Sequence, residues 1–155
     1  MRVERQHTVV GGFRIHSVMY GEGSPVVLLH GLAGSYHWWR YTAPVLAKRY
    51  RVHVPELIGF GRSRPTARIP DIAEAASIVV GWMEASSLVQ ASVVGHSMGG
   101  QIAIHAASKW PERIGRLVLV DSAGIPRDIS LRSLLRLALE LVPPRAWGRH
   151  TFLPT

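Results

Sequence analysis

An α/β fold, with a mostly parallel sheet carrying helices on both faces, is what this 155-residue sequence predicts. Three observations carry the prediction. From residue 26 onward short apolar runs alternate with helix-period segments, the pattern of strands joined by crossover helices. The runs Val26-Val27-Leu28-Leu29 and Leu117-Val118-Leu119-Val120 are continuous, as strands buried on both faces are. Gly95-His96-Ser97-Met98-Gly99 joins an apolar run to a helix-forming stretch through a turn that needs tiny residues two before and two after Ser97.

Taken in order, residues 3–10 and 13–20 alternate like two strands joined across Gly11-Gly12, a hairpin signal. Residues 21–25 form a turn and 26–29 a buried strand. The loop His30-Gly31-Leu32-Ala33-Gly34-Ser35 follows, then a helix over 36–49 despite Pro44. A strand over 50–54 ends at Pro55 and gives way to a loop over 56–68. Residues 71–87 read as a helix with Asp71 near its start and Ile72, Ala75, Ala76, Val79, Val80 and Met83 at helical spacing. A strand over 91–95, a helix over 98–109 and a strand over 117–120, closed by Asp121, complete the alternation. The organisation is a core over 1–125 and a second segment, 126–155, with one amphipathic helix over 130–142 before Pro143-Pro144 and a tail. There is no internal repeat or low-complexity tract.

Bulk properties narrow the function. Hydrophobic residues make up 47% of the chain, ample for a core, and no cysteine is present, so disulfides and thiolate metal sites are excluded. No apolar run approaches the ~20 residues of a membrane span, and the first residues lack an apolar signal core, so a cytoplasmic location is expected. The formal charge of +8 comes mostly from scattered arginines. Arg62, Arg64 and Arg68 form the densest group, interrupted by Pro65, with no aromatic-interleaved stripe or reading helix. Nucleic acid is therefore not an expected partner. Neither a phosphate-binding glycine loop nor a metal-ligand cluster is present, so no cofactor and no metal is expected.

Acyl transfer through serine needs a nucleophile, a base, an orienting acid and donors for the oxyanion. Ser97 supplies the nucleophile on a strained turn, above the positive end of the following helix. The backbone N–H of Met98, first residue of that helix, is a natural oxyanion donor. A second is the N–H of Leu32, in the loop after the third strand, where Gly31 lets the chain turn. Both loops fall at the carboxyl ends of strands, where ligands bind in open parallel sheets.

These residues resemble the α/β-hydrolase superfamily. The resemblance runs through the initial hairpin, His30-Gly31-Leu32-Ala33-Gly34-Ser35 with Trp38-Trp39, Gly59-Phe60-Gly61-Arg62-Ser63, Gly95-His96-Ser97-Met98-Gly99-Gly100 and Leu119-Val120-Asp121-Ser122-Ala123. It implies the α/β-hydrolase fold, read here through its sixth strand and the start of a cap. It also implies a serine-nucleophile hydrolase of the esterase or lipase kind, acting on a small ester or a related acyl or carbon–carbon bond. Ser97 would be the nucleophile, with Leu32 and Met98 at the oxyanion hole. Family members of the dehalogenase and epoxide-hydrolase branches carry Asp where this chain has Ser97. Glu56 and Ile58 depart from the family's usual Asp and Pro in the loop after the fourth strand.

In this family the acid usually follows the seventh strand and the histidine the eighth, and neither strand is readable. Asp121, at the end of the sixth strand, is the candidate acid. Of the eight histidines, His96 neighbours Ser97 but projects differently, and His30 belongs to the oxyanion loop. His7, His16 and His53 fall on strands, His37 and His105 on helices, and His150 in the tail. The sequence therefore reads as a truncated hydrolase core, weakly active or inactive by itself. Its alternative is a non-catalytic homologue that binds a ligand or partner, or self-associates, through its open sheet edge.

Overall fold

The computed structural model describes residues 3–63, 68 and 70–124, all within the unit Met1–Ile125. The expected helix over 130–142, the cap segment and His150 lie outside the described residues.

Six strands form one sheet: β1 (Val3–Val10), β2 (Phe13–Tyr20), β3 (Pro25–Leu29), β4 (Arg51–Pro55), β5 (Ala91–His96) and β6 (Ile114–Val120). Their order is β1-β2-β4-β3-β5-β6. β1 and β2 make the hairpin that Gly11 and Gly12 signal; both glycines have positive φ, +54° and +84°, as the tight turn requires. β2 runs antiparallel to β4, and β4, β3, β5 and β6 are parallel to one another. This is the mostly parallel sheet that the sequence predicts.

Alternate residues of β3 explain its unbroken apolar run. Val27 and Leu29 face a core shared with α2 (Ile72–Ala85) and α3 (Met98–Lys109). Val26 and Leu28 face the other way, against Trp39, Ala43 and Ala47. Burial of both faces removes the polar alternation of a surface strand. β2 behaves likewise: burial is continuous from Ile15 to Met19. Asp71 caps α2, its carboxylate accepting the Glu74 N–H at 2.8 Å.

Two elements differ from expectation. The continuous helix over 36–49 is instead a short 3₁₀ turn, Tyr36–Trp39, followed by α1 (Thr42–Leu46). Pro44 has no N–H for the Arg40 carbonyl and its ring crowds that carbonyl, so the helix restarts with Pro44 in its first turn. β6 starts at Ile114, earlier than its apolar run, and carries Leu117, Val118, Leu119 and Val120 exposed rather than buried. It lies at the sheet edge, paired on one side by β5.

Candidate active site

The parallel pairing of β3 with β5 sets the site. Leu29 is opposite Gly95, so the chain leaving β3 as His30-Gly31 emerges beside His96-Ser97 leaving β5. On the other side, His96 is opposite Val120, which puts Asp121 next to the same turn. Three strand ends thus converge on Ser97.

Ser97 turns the chain from β5 into α3 with φ +51° and ψ −119°. This conformation is costly for a residue with a Cβ, about 1–3 kcal/mol, and persists only where surroundings hold it. The holding contacts are main-chain. Ser97 N–H donates to the Val120 carbonyl at 3.1 Å, and the Ser97 carbonyl accepts from Gly100, Gln101 and Ala123 at 2.9, 3.2 and 3.0 Å. The flanking glycines are required by space. A Cβ on Gly95 would lie 2.5 Å from the Gly99 carbonyl oxygen, and one on Gly99 would lie 2.5 Å from the His30 carbonyl oxygen. Ser97 is half-buried, and its hydroxyl makes no capping hydrogen bond to α3, although it occupies the capping position.

Facing the turn is the loop over 30–34. Gly31 packs so closely that an added Cβ would be 3.1 Å from the Ser97 Cβ and 2.9 Å from His96 Nδ1. His30 fixes this loop from below. It is fully buried, its Nδ1–H donates to the Gly31 carbonyl at 2.8 Å, and its Nε2 accepts the Leu57 N–H at 3.0 Å. One nitrogen donating and the other accepting specify a neutral ring of a single tautomer. Burial lowers its pKa from the ordinary histidine value, against the opposing pull of the Gly31 carbonyl. Met98, first residue of α3, has no intrahelical acceptor for its N–H. The Leu32 N–H likewise donates to no backbone carbonyl among the described residues.

No described histidine hydrogen-bonds Ser97. His96 stacks on Trp38 at 4.7 Å, with its Nδ1 buried and unpartnered among the described residues. Asp121 is exposed at the end of β6, with positive φ. No cluster of three metal-binding side chains occurs among the described residues, and none of the helices described is long and apolar enough to cross a membrane.

Sequence reasoning missed a second polar assembly. Glu56, one of the two departures in the loop after the fourth strand, is 1% exposed. Its carboxylate accepts from His16 Nδ1 at 3.1 Å, Arg62 N–H at 2.6 Å and Tyr36 N–H at 3.4 Å. Ser63 completes the knot, donating to the Glu56 carbonyl at 2.7 Å and accepting the His16 N–H at 3.0 Å. Burial lowers the His16 pKa and the Glu56 charge opposes that shift. Glu56 thus ties β2 to the loop that carries Leu57 and, through Tyr36, to the segment after the Gly31 loop. The available signal was the Glu56 departure itself, but its partner His16 lies 40 residues away.

Comparison with known proteins agrees with this fold. A family model described as alpha/beta hydrolase fold matches residues 24–146. The chain is 39% identical over 126 residues to 2-hydroxymuconate semialdehyde hydrolase of Pseudomonas sp. strain CF600, covering 79% of this chain and 44% of that protein. It is 40% identical over 108 residues to a (lyso)-N-acylphosphatidylethanolamine lipase of Mus musculus, covering 66% and 31% respectively. A solved meta-cleavage product hydrolase from Pseudomonas fluorescens superposes with a TM-score of 0.75 at 34% identity, over 81% of this chain and 48% of that one. The chain spans about a third to a half of the length of these relatives. The match to the family model and the six-stranded sheet together show that this chain belongs to the α/β-hydrolase fold family.

Proposed function

We propose that the chain carries the nucleophile half of a serine hydrolase acting on a small ester or a related acyl or carbon–carbon bond. The single observation that carries this reading is the Ser97 backbone: a serine held at φ +51° between β5 and α3, with its hydroxyl left uncapped and Gly31 against its Cβ. In this reading Ser97 Oγ attacks the substrate carbonyl carbon. The Leu32 and Met98 N–H groups receive the oxyanion, and a histidine takes the hydroxyl proton and returns it to the leaving group. The relatives' names, a semialdehyde hydrolase and a lipase, support hydrolysis on this framework and leave the substrate open.

No described histidine hydrogen-bonds the Ser97 hydroxyl, and from the described residues alone weak catalysis is expected. The test is p-nitrophenyl acetate turnover by this chain and its Ser97→Ala variant. Slow turnover that Ser97→Ala abolishes supports the reading. Rapid turnover lost in Ser97→Ala would overturn the expectation of weakness, and turnover unaffected by Ser97→Ala would overturn the nucleophile.

One observation favours a second reading, a non-catalytic homologue that pairs through its sheet edge. β6 exposes Leu117, Val118, Leu119 and Val120, and an exposed apolar edge is a template for another strand. Light scattering separates the readings: a defined dimer dissociated by Val118→Lys supports pairing, and a monomer argues against it.

A further inference from the structure

We propose that the outer side of the segment over 38–49 is a docking surface for an anionic lipid–water interface. Short helices of globular proteins normally turn apolar residues inward and polar ones outward. Here the inward side is filled by Trp39, Ala43 and Ala47, buried in the core cluster with Val26, Leu28, Val52 and Val54. The outward side is apolar as well. Trp38, Tyr41 and Val45, at the spacing of one helical face, are 54%, 76% and 62% exposed. Leu32, on the adjoining loop, is 69% exposed.

The charged residues of the segment itself are all basic, although Glu22 lies in a turn packed against residues 47–50. Between Glu22 and Glu56 the sequence has no acidic residue, and Arg40, Lys48 and Arg49 are all exposed. Among the described residues none of the three forms an ion pair; the nearby Arg51 is taken up by Glu4 at 2.8 Å. The Arg40 guanidinium lies over the Tyr41 ring, 4.5 Å from its centroid, so charge and aromatic surface are presented together. Tryptophan and tyrosine with flanking cations suit the boundary of a bilayer, where rings enter the headgroup layer and cations meet anionic lipid. A protein partner of acidic surface is the competing occupant. Lipid fits better because Trp38 of the 3₁₀ turn, Tyr41 beside it and Val45 of α1 are side chains more than half exposed. The surface adjoins the candidate nucleophile, since Trp38 stacks on His96 beside Ser97, but lipid docking stands without any role for Ser97.

Sedimentation of the 155-residue chain with vesicles tests it. One set contains phosphatidylglycerol and phosphatidylcholine in equal parts and the other phosphatidylcholine alone. The chain is expected to partition onto the anionic vesicles and much less onto the neutral ones. Replacing Trp38, Tyr41 and Val45 together by Ser is expected to lower partitioning at least tenfold. Arg40→Gln and Lys48→Gln should each lower it about fivefold on anionic vesicles only, the factor that about 1 kcal/mol per surface cation implies. Val118→Thr with Val120→Thr, on the exposed β6 edge, should leave it unchanged. Circular dichroism checks that each variant folds, and all the replaced side chains are exposed. Absence of binding to anionic vesicles at low salt would overturn the proposal. So would retained partitioning in the triple variant, or an equal loss in the β6 variant.

Discussion

His53 makes the fold acid-sensitive in a calculable way. It sits on β4, 5% exposed, with both ring nitrogens buried and without hydrogen-bond partners among the described residues. Burial, reinforced by the nearby Arg51 charge, pushes its pKa from 6.5 down to about 4. Between those two values the unfolded chain binds a proton that the folded chain refuses. Stability is therefore full above about pH 6.5, falls as pH drops toward 4, and levels off below that for this group. At about 1.4 kcal/mol per pH unit, the loss across the window is about 3 kcal/mol. His53→Leu, similar in volume and unable to titrate, should remove this share of the slope. The assay is urea unfolding of both proteins followed by circular dichroism at steps from pH 7.5 to 4. The stability of the variant relative to the parent should rise by about 3 kcal/mol over that range. A difference that stays constant with pH would refute the reasoning, since it would mean that His53 is protonated, or solvated, in the folded chain. His16 and His30, also lowered by burial, tilt stability in the same direction and remain in both proteins.

Other perturbations report on the site and its supports. Gly99→Ala should destabilise by at least about 2 kcal/mol in urea unfolding, because the new Cβ would meet the His30 and Leu29 carbonyl oxygens, which are backbone and cannot swing aside. Gly31→Ala presses instead on Ser97 and His96; labelling of Ser97 by a fluorophosphonate should slow at least tenfold with little loss of stability. Glu56→Leu strands the Arg62 and Tyr36 N–H groups and His16 Nδ1 without their acceptor, and should cost about 3–5 kcal/mol, as removing one member of a buried pair does. Unfolding midpoints of Glu56→Leu equal to the parent's would show that the carboxylate is not the hub of that loop.

The parts of the molecule that were legible in its sequence are those fixed by local chemistry. β3 and β5 were readable because burial on both faces leaves an apolar run with no polar interruption. The turn at Ser97 was readable because a strand, a serine between glycines and a helix must meet there, and the glycines can be checked for space one by one. What local pattern could not supply was contact at a distance. His16 looked like any histidine on an alternating strand, and Glu56 like a loop acid. Only the antiparallel register, with Ser17 opposite Pro55, brings them together. The helix over 36–49 failed for a different reason. Its composition favours a helix on average, and one missing N–H at Pro44 outweighs that average. On β6, the apolar run suggested burial, but an edge position is a property of the sheet and not of the strand.

Incubation with a fluorophosphonate probe, followed by peptide mass spectrometry, tests the central claim most directly. Slow modification confined to Ser97, and absent from Ser97→Ala, is the expected result. An unmodified Ser97 after prolonged exposure, or a label distributed over other serines, would contradict it.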